Sequence, residues 1–327
     1  RSILGISFPG NTIIKGHVPM HTRSPQNLRL MLLIAFYSFM VLGVLPGVLN
    51  IAWRHMQVTF NVDLDALGVL LLAFTSGRLF MAFGCGWLIG RVDIGRTLLL
   101  GGTLSIGGIL AGALAPAWAF LLVSAFVAAM GAGLIDAGMN TFAAAHYGKG
   151  PMNWLHAFFG VGLTIGPLLV TFFVVNLEQT WRMAYGTIAV LQGGFVLLLL
   201  LTFRHWRMPE IDEADLDENN RSSATIAQSL AVPAVLISIM MFAIYGGLEI
   251  STGQLTNTLF IDSRGVTQEV SSFWISLYWL SFTIGRMIIG SIGDRITSVS
   301  LMRLSMGGAL LDGWLKNGLA ARAEGDI

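Results

Sequence analysis

Charge is what this sequence has least of. Only 11% of its 327 residues are Asp, Glu, Lys or Arg, where a soluble domain carries about a quarter. Too few charges remain to cover a water-soluble globule. The two signs nearly cancel, leaving a formal net charge of +1, so the chain offers no basic face for nucleic acid. Cysteine is almost missing. A lone Cys85 excludes a disulfide framework and a thiolate-clustered metal site. No His/Cys/Asp cluster has metal-ligand spacing, no phosphate loop follows a strand, and no nucleophile–base pair stands out. An enzyme, a metal centre and a cofactor are therefore not expected. What is plentiful is apolar: 54% hydrophobic residues and 39 glycines. This is the profile of a polytopic membrane protein.

About 20 apolar residues cross a bilayer as a helix. Backbone groups in lipid must bond internally, so the spans are helices, giving an all-α fold. The apolar runs predict spans over Leu28–Trp53, Ala66–Gly90, Thr97–Leu114, Ala117–Ala145, Trp154–Asn176, Met183–Phe203, Leu230–Leu259 and Ser272–Gly293. A ninth begins at Val299 and fails at Asp312. The chain opens on Arg1, with no basic, apolar and cleavable signal after it. The broken ninth span and the missing start together suggest a fragment. Basic residues favour the cytoplasmic side. With the N-terminus inside, Arg29, Arg91, Arg96, Arg204 and Arg207 fall on that side, and only Arg54, Arg182 and Arg264 fall outside. The stretch 204–229 breaks the pattern with an acidic run from Glu210 to Glu218, which reads as a solvated tether. The expected organisation is a cytoplasmic segment (1–27), an N-terminal six-helix bundle (28–203), a cytoplasmic linker (204–229) and a partial C-terminal bundle (230–327).

Two loops repeat across the halves. GWLIGRVDIGR, Gly86 to Arg96, follows the second span, and GSIGDRITS, Gly290 to Ser298, follows the eighth. The spaced pair resembles the loop signature of the major facilitator superfamily. The first copy departs from it, with Gly90 where the family has aspartate and Asp93 where a glycine is expected. GAGLIDAGMNTFAAAH, MNWLHAFFGVGLTIGPLL and YGGLEISTGQ look like the fucose-permease and glucose-transporter-like branch. The resemblance runs over roughly Leu28 to Arg303. It implies a twelve-helix fold in two bundles around a central cavity, of which this chain would hold about eight or nine helices.

The polar residues inside the spans carry the functional reading, because a charge at membrane depth is costly unless it faces a cavity or a partner. Asp136 lies in the fourth span with Asn140 four residues on, on the same helical face. Desolvation disfavours the charged form of such a carboxylate, and the resemblance implies proton coupling at this place. Its alternative is a structural carboxylate bonded to a neighbouring helix. The Gly131-x-Gly133 string beside it mimics a nucleotide fingerprint, but no strand precedes it. The first span has Asn50 where proton-coupled relatives have aspartate, and an amide cannot titrate. Glu249 in the seventh span is the candidate replacement. Tyr245, Thr252 and Thr256 share its face and Gln254 lies nearby, a stripe suited to sugar hydroxyls or to bonding between helices. Asn153 and His156 form a similar face in the fifth span, where Pro167 is expected to bend the helix. The aromatics Trp154, Phe158, Phe159, Trp274, Tyr278 and Trp279 are expected mainly to pack or face lipid. Arg286 lies near enough to the inner surface to reach it, whereas Arg78 in the second span has no evident partner beyond a conceivable one in Asp136.

The expected activity is secondary transport of a small polar solute, sugar-like by resemblance, by alternating access. The coupling ion would be H+ or Na+, or there would be none. The competing reading is a membrane protein that binds or senses without transporting. The expected setting is a monomer in the plasma (inner) membrane.

Overall fold

The computed structural model describes residues 25–147, 149–208 and 230–292, together with 228, 300, 303–308 and 310. Most of the polar segments 1–27 and 204–229, the second loop motif beyond Ile292, and part of the failing ninth span with everything after position 310 lie outside the described residues.

Eight helices among the described residues are long and apolar enough to cross a membrane. They are α1 (Pro25–Phe60), α2 (Ala66–Val92), α3 (Ile94–Ala113), α4 (Trp118–His146), α5 (Lys149–Thr171), α6 (Trp181–Leu201), α7 (Pro233–Thr258) and α8 (Gln268–Ile292). Each matches one expected span. The largest difference is at α1, which runs on past Trp53 to Phe60. Arg54 was expected to fall outside the span, but Met56 is fully buried in the core, and Trp181 Nε1 donates to Thr59 Oγ1 at 3.0 Å. α5 continues through Pro167 and widens into a π-turn over Phe172–Asn176.

Small residues set the helix spacing, because lipid tails offer no hydrophobic drive between helices and close van der Waals contact must supply it. α1 and α5 cross where Gly43 and Gly47 meet Gly162 and Gly166; a Cβ on Gly47 would lie 3.1 Å from Gly166 Cα and 2.7 Å from Leu163 O. α3 and α4 pack through Gly101, Gly108 and Gly131, whose absent Cβ atoms would strike the facing backbone. α4 also packs on α2, where Gly133 rests against the Arg78 carbonyl. α6 closes the bundle against α3 and α1. At its start, Arg182 donates to Ala113 O at 2.5 Å and Ala115 O at 2.8 Å, capping the end of α3.

α8 packs on α5, with Thr283 lodged against Gly160, and brings Ile275 and Trp279 into the core of the six-helix bundle. α7 leans on α1 and α8. In the α2–α3 loop, Asp93 adopts φ 73°, a conformation that favours glycine. Its side chain accepts from Arg96 N at 3.0 Å and so caps α3, while Arg91 lies 4.4 Å over the Trp87 ring.

Candidate solute and coupling site

The close passage of α4 over α2 at Gly133 sets the centre of the site. One turn further along α4, Asp136 Oδ2 accepts from Arg78 Nη2 at 2.6 Å. Asn140, the next residue on that face, gives Nδ2 to Asp136 Oδ1 at 3.0 Å. The side chains of Arg78 and Asp136 keep 34% and 25% of their exposure. The pair is thus largely dry yet open on one side, which is the condition under which an intramembrane charge is tolerated.

α7 and α8 carry a counterpart. Glu249 of α7 accepts from Arg286 of α8 at 3.3 Å, with the carboxylate the more enclosed partner at 14% exposure. Arg286 was expected to reach the inner surface; it pairs across helices instead, because α7 and α8 lie side by side. Tyr245 is a neighbour of both charges. His156 of α5 lies within electrostatic reach of Asp136, Arg78 and Arg286 and packs edge-on to Phe39 at 5.5 Å. It is thus a neighbour of groups from both ion pairs. Asn153 lies one turn earlier on α5 and is part-buried.

Asn50 and Gln254 do not join this cluster. Asn50 is 1% and Gln254 is 5% exposed. With its amide oriented to satisfy its neighbours, Asn50 donates to Pro46 O at 3.0 Å and Gln254 Oε1 at 2.9 Å, and accepts from Trp279 Nε1 at 3.0 Å. This knot ties α1 to α7 and α8 where α1 and α7 approach their C-terminal ends. More polar contacts continue outward from it. Thr171 and Ser272 share a hydrogen bond of 2.6 Å, Ser271 donates to Asn257 at 2.7 Å, and Arg54 pairs with Asp262. α1 and α5 are thus joined to α7 and α8 by a polar seam at that end.

Three participants escaped the sequence reading. Trp279 was expected to pack or face lipid and instead donates within the knot. Gln192 of α6 is 1% exposed, and a lone amide in the run AVLQGGFVLLLL was the signal that could have found it. Ser105 lines the same small cleft as Arg78 and Gln192. Among the described residues no group of three or more His, Cys, Asp or Glu could hold a metal ion.

The sequence model of the Major Facilitator Superfamily matches residues 30–315. The glucose/mannose transporter GlcP of Bacillus subtilis (strain 168) is 22% identical over 271 residues, covering 81% of this chain and 66% of its own. A crystal structure of a D-xylose-proton symporter superposes at a TM-score of 0.54 and 14% identity, over 86% of this chain and 70% of that one. A peptide transporter POT in complex with sulfate covers 84% of this chain and 62% of its own at 19% identity and a TM-score of 0.47. The chain thus spans just under two thirds of the curated relative's length. At 14% identity the symporter superposition is evidence of shared fold.

Proposed function

The chain belongs to the Major Facilitator Superfamily and is a multi-pass integral membrane protein, and from that premise we propose that it is a secondary transporter of a small polar, sugar-like solute working by alternating access. The observation that carries this reading is the pair of ion pairs, Arg78–Asp136 from the first six helices and Arg286–Glu249 from the next two. Isolated charges inside membrane helices are costly. Two such pairs, both partly open and both with a charge near His156, suit a cavity between halves. A polar seam at one end is what one closed face of an alternating cycle requires. The names of the sugar-transporting relatives support a sugar-like solute.

In this reading the N-terminus is cytoplasmic, the seam lies outside, and the membrane is the plasma membrane. The solute contacts Asn140, Asn153, His156 and Tyr245, whose donors and acceptors suit hydroxyl groups. Asn50 and Gln254 act at the seam. Asp136 carries the coupling proton and Glu249 is the second exchanging carboxylate. The test is uptake of D-glucose into vesicles carrying the full chain, with and without an imposed pH gradient. Uphill accumulation that needs the gradient and disappears in Asp136→Asn, while downhill exchange persists, supports the reading. Accumulation by Asp136→Asn equal to the parent's reduces Asp136 to a structural carboxylate. Absence of uptake in either direction favours a protein that only binds.

A further inference from the structure

Gln192 of α6 belongs to neither the ion pairs nor the seam. Its side chain is 1% exposed, and its Nε2 is buried with no partner among the described residues. Burying an amide costs free energy unless it is hydrogen-bonded, and a buried polar atom left without a partner is rare in a folded protein. Its surroundings in the run AVLQGGFVLLLL would suit a leucine equally well. Gln192 does share a cleft with Arg78 of α2 and Ser105 of α3. Every other side chain lining it is apolar, among them Val41 and Leu45 of α1 and Ile188 of α6. The cleft leaves about 10 Å³ for the centre of a guest, close to the least that holds a single water molecule. No sugar fits there.

We propose that Gln192 is a positioning residue for Arg78 and acts through one buried water. A guanidinium donates and cannot accept, and among the described residues Arg78 gives a hydrogen bond to Asp136 alone. Two N–H groups cannot bond each other, but one water oxygen accepts from both. With the Gln192 amide turned so that Nε2 meets the cleft, the water accepts from Nε2 and from the guanidinium and donates to Ser105 Oγ. Three hydrogen bonds are the usual complement of a buried water.

The inference rests on the transport reading above and adds the part that keeps its central cation in place. An arginine side chain is long and rich in rotamers, and Asp136 of α4 grips it from one side only. The water grips it from another, on behalf of α3 and α6. Those helices form a firm backing, because α3 and α4 pack through Gly101, Gly108 and Gly131 and α6 lies against α3. The guanidinium is thereby kept from swinging into the space between the halves. Every group in the clip lies within the first six helices, so it moves with them as one piece whatever α7 and α8 do.

Gln192→Leu in the full chain separates the two accounts by sign. If Nε2 is an orphan, its removal relieves a desolvation penalty and the variant melts higher than the parent in detergent. If it holds the water, a charged group loses support and the variant melts lower, by about 1–2 °C in a chain of 327 residues. That drop should vanish in the background Arg78→Met/Asp136→Asn, which is neutral and has no guanidinium to hold; an amide that only braces α6 would cost the same in both. Should that background fail to fold, Ser105→Ala replaces it. Bonded to the same water, Ser105→Ala and Gln192→Leu together should lower the midpoint by less than the sum of the two. In vesicles, Gln192→Leu should slow maximal D-glucose uptake several-fold with the half-saturating concentration unchanged, since the solute never enters the cleft. A midpoint that rises or stays, an equal drop in both backgrounds, additive drops, or uptake at the parent's rate overturns the inference. A parent that takes up no glucose counts against the transport reading instead, and the melting experiment still decides whether Gln192 holds Arg78.

Discussion

Replacing Asp136 by asparagine tests whether the Arg78 contact holds the bundle together. The amide keeps the shape of the carboxylate and can still accept from Asn140, so packing between α2 and α4 is preserved. What disappears is the charge opposite Arg78. Removing one partner of a fully buried pair costs about 3–5 kcal/mol, and an exposed pair contributes about 0–1 kcal/mol. With side-chain exposures of 34% and 25%, this pair falls between those limits, at about 1.5–3 kcal/mol. A loss of that size corresponds to a drop in thermal midpoint of about 2–4 °C in a chain of 327 residues, readable by tryptophan fluorescence in detergent. Arg78→Gln added to Asp136→Asn removes the stranded cation and should recover most of the loss. The coupling between the two sites is then about as large as the single-variant effect. If Asp136→Asn unfolds with the parent, or the double variant falls by the sum of both singles, the pair is not a stabilising contact and the reasoning from desolvation fails.

Three further outcomes follow from the packing and topology. Gly162→Leu places a side chain where α1 passes closest to α5; overpacking of about 1–3 kcal/mol should lower the thermal midpoint, whereas the same change at Gly186, where a Cβ meets nothing within 4 Å, should leave it in place. Ser222→Cys, in the polar linker, should resist a membrane-impermeant thiol reagent in intact cells and react after lysis; reaction from outside overturns the proposed orientation. Trp279→Phe removes one donor from the Asn50–Gln254 knot, and an interhelical hydrogen bond in a membrane protein averages about 0.6 kcal/mol. The labelling rate of Ser276→Cys, buried at 5% exposure, should rise roughly two- to threefold by that amount, and an unchanged rate would separate the knot from closure.

Most of the fold was legible because span detection needs only apolar length. The ends were less so. Arg54 read as an outside residue beyond the span, and only the burial of Met56 near it explains why α1 continues. Asp136, Asn140 and Glu249 were legible as polar side chains inside apolar runs. The partner of Arg286 was not. Depth along a helix can be read from the chain, but which carboxylate lies beside it depends on how α7 and α8 pack. Asn50 and Gln254 illustrate the same limit. Each was visible as an intramembrane amide, yet their union with Trp279 requires α1, α7 and α8 to meet at one level. That level depends partly on the contact of Thr283 with Gly160, two residues far apart in sequence. Gln192 was legible and overlooked, since a single amide in an apolar helix is a small signal beside a charge.

The seam is made of hydroxyls, amides and one exposed ion pair rather than of leucines. That choice governs how readily it comes apart. Separating two greasy surfaces exposes them to water at about 25 cal/mol for each Å², a penalty that grows with every step of opening. Groups such as Asn257, Ser271 and Ser272 exchange one partner for a water molecule at nearly even enthalpy. On the transport reading, the seam can therefore wet itself as it parts, shedding its contacts one at a time.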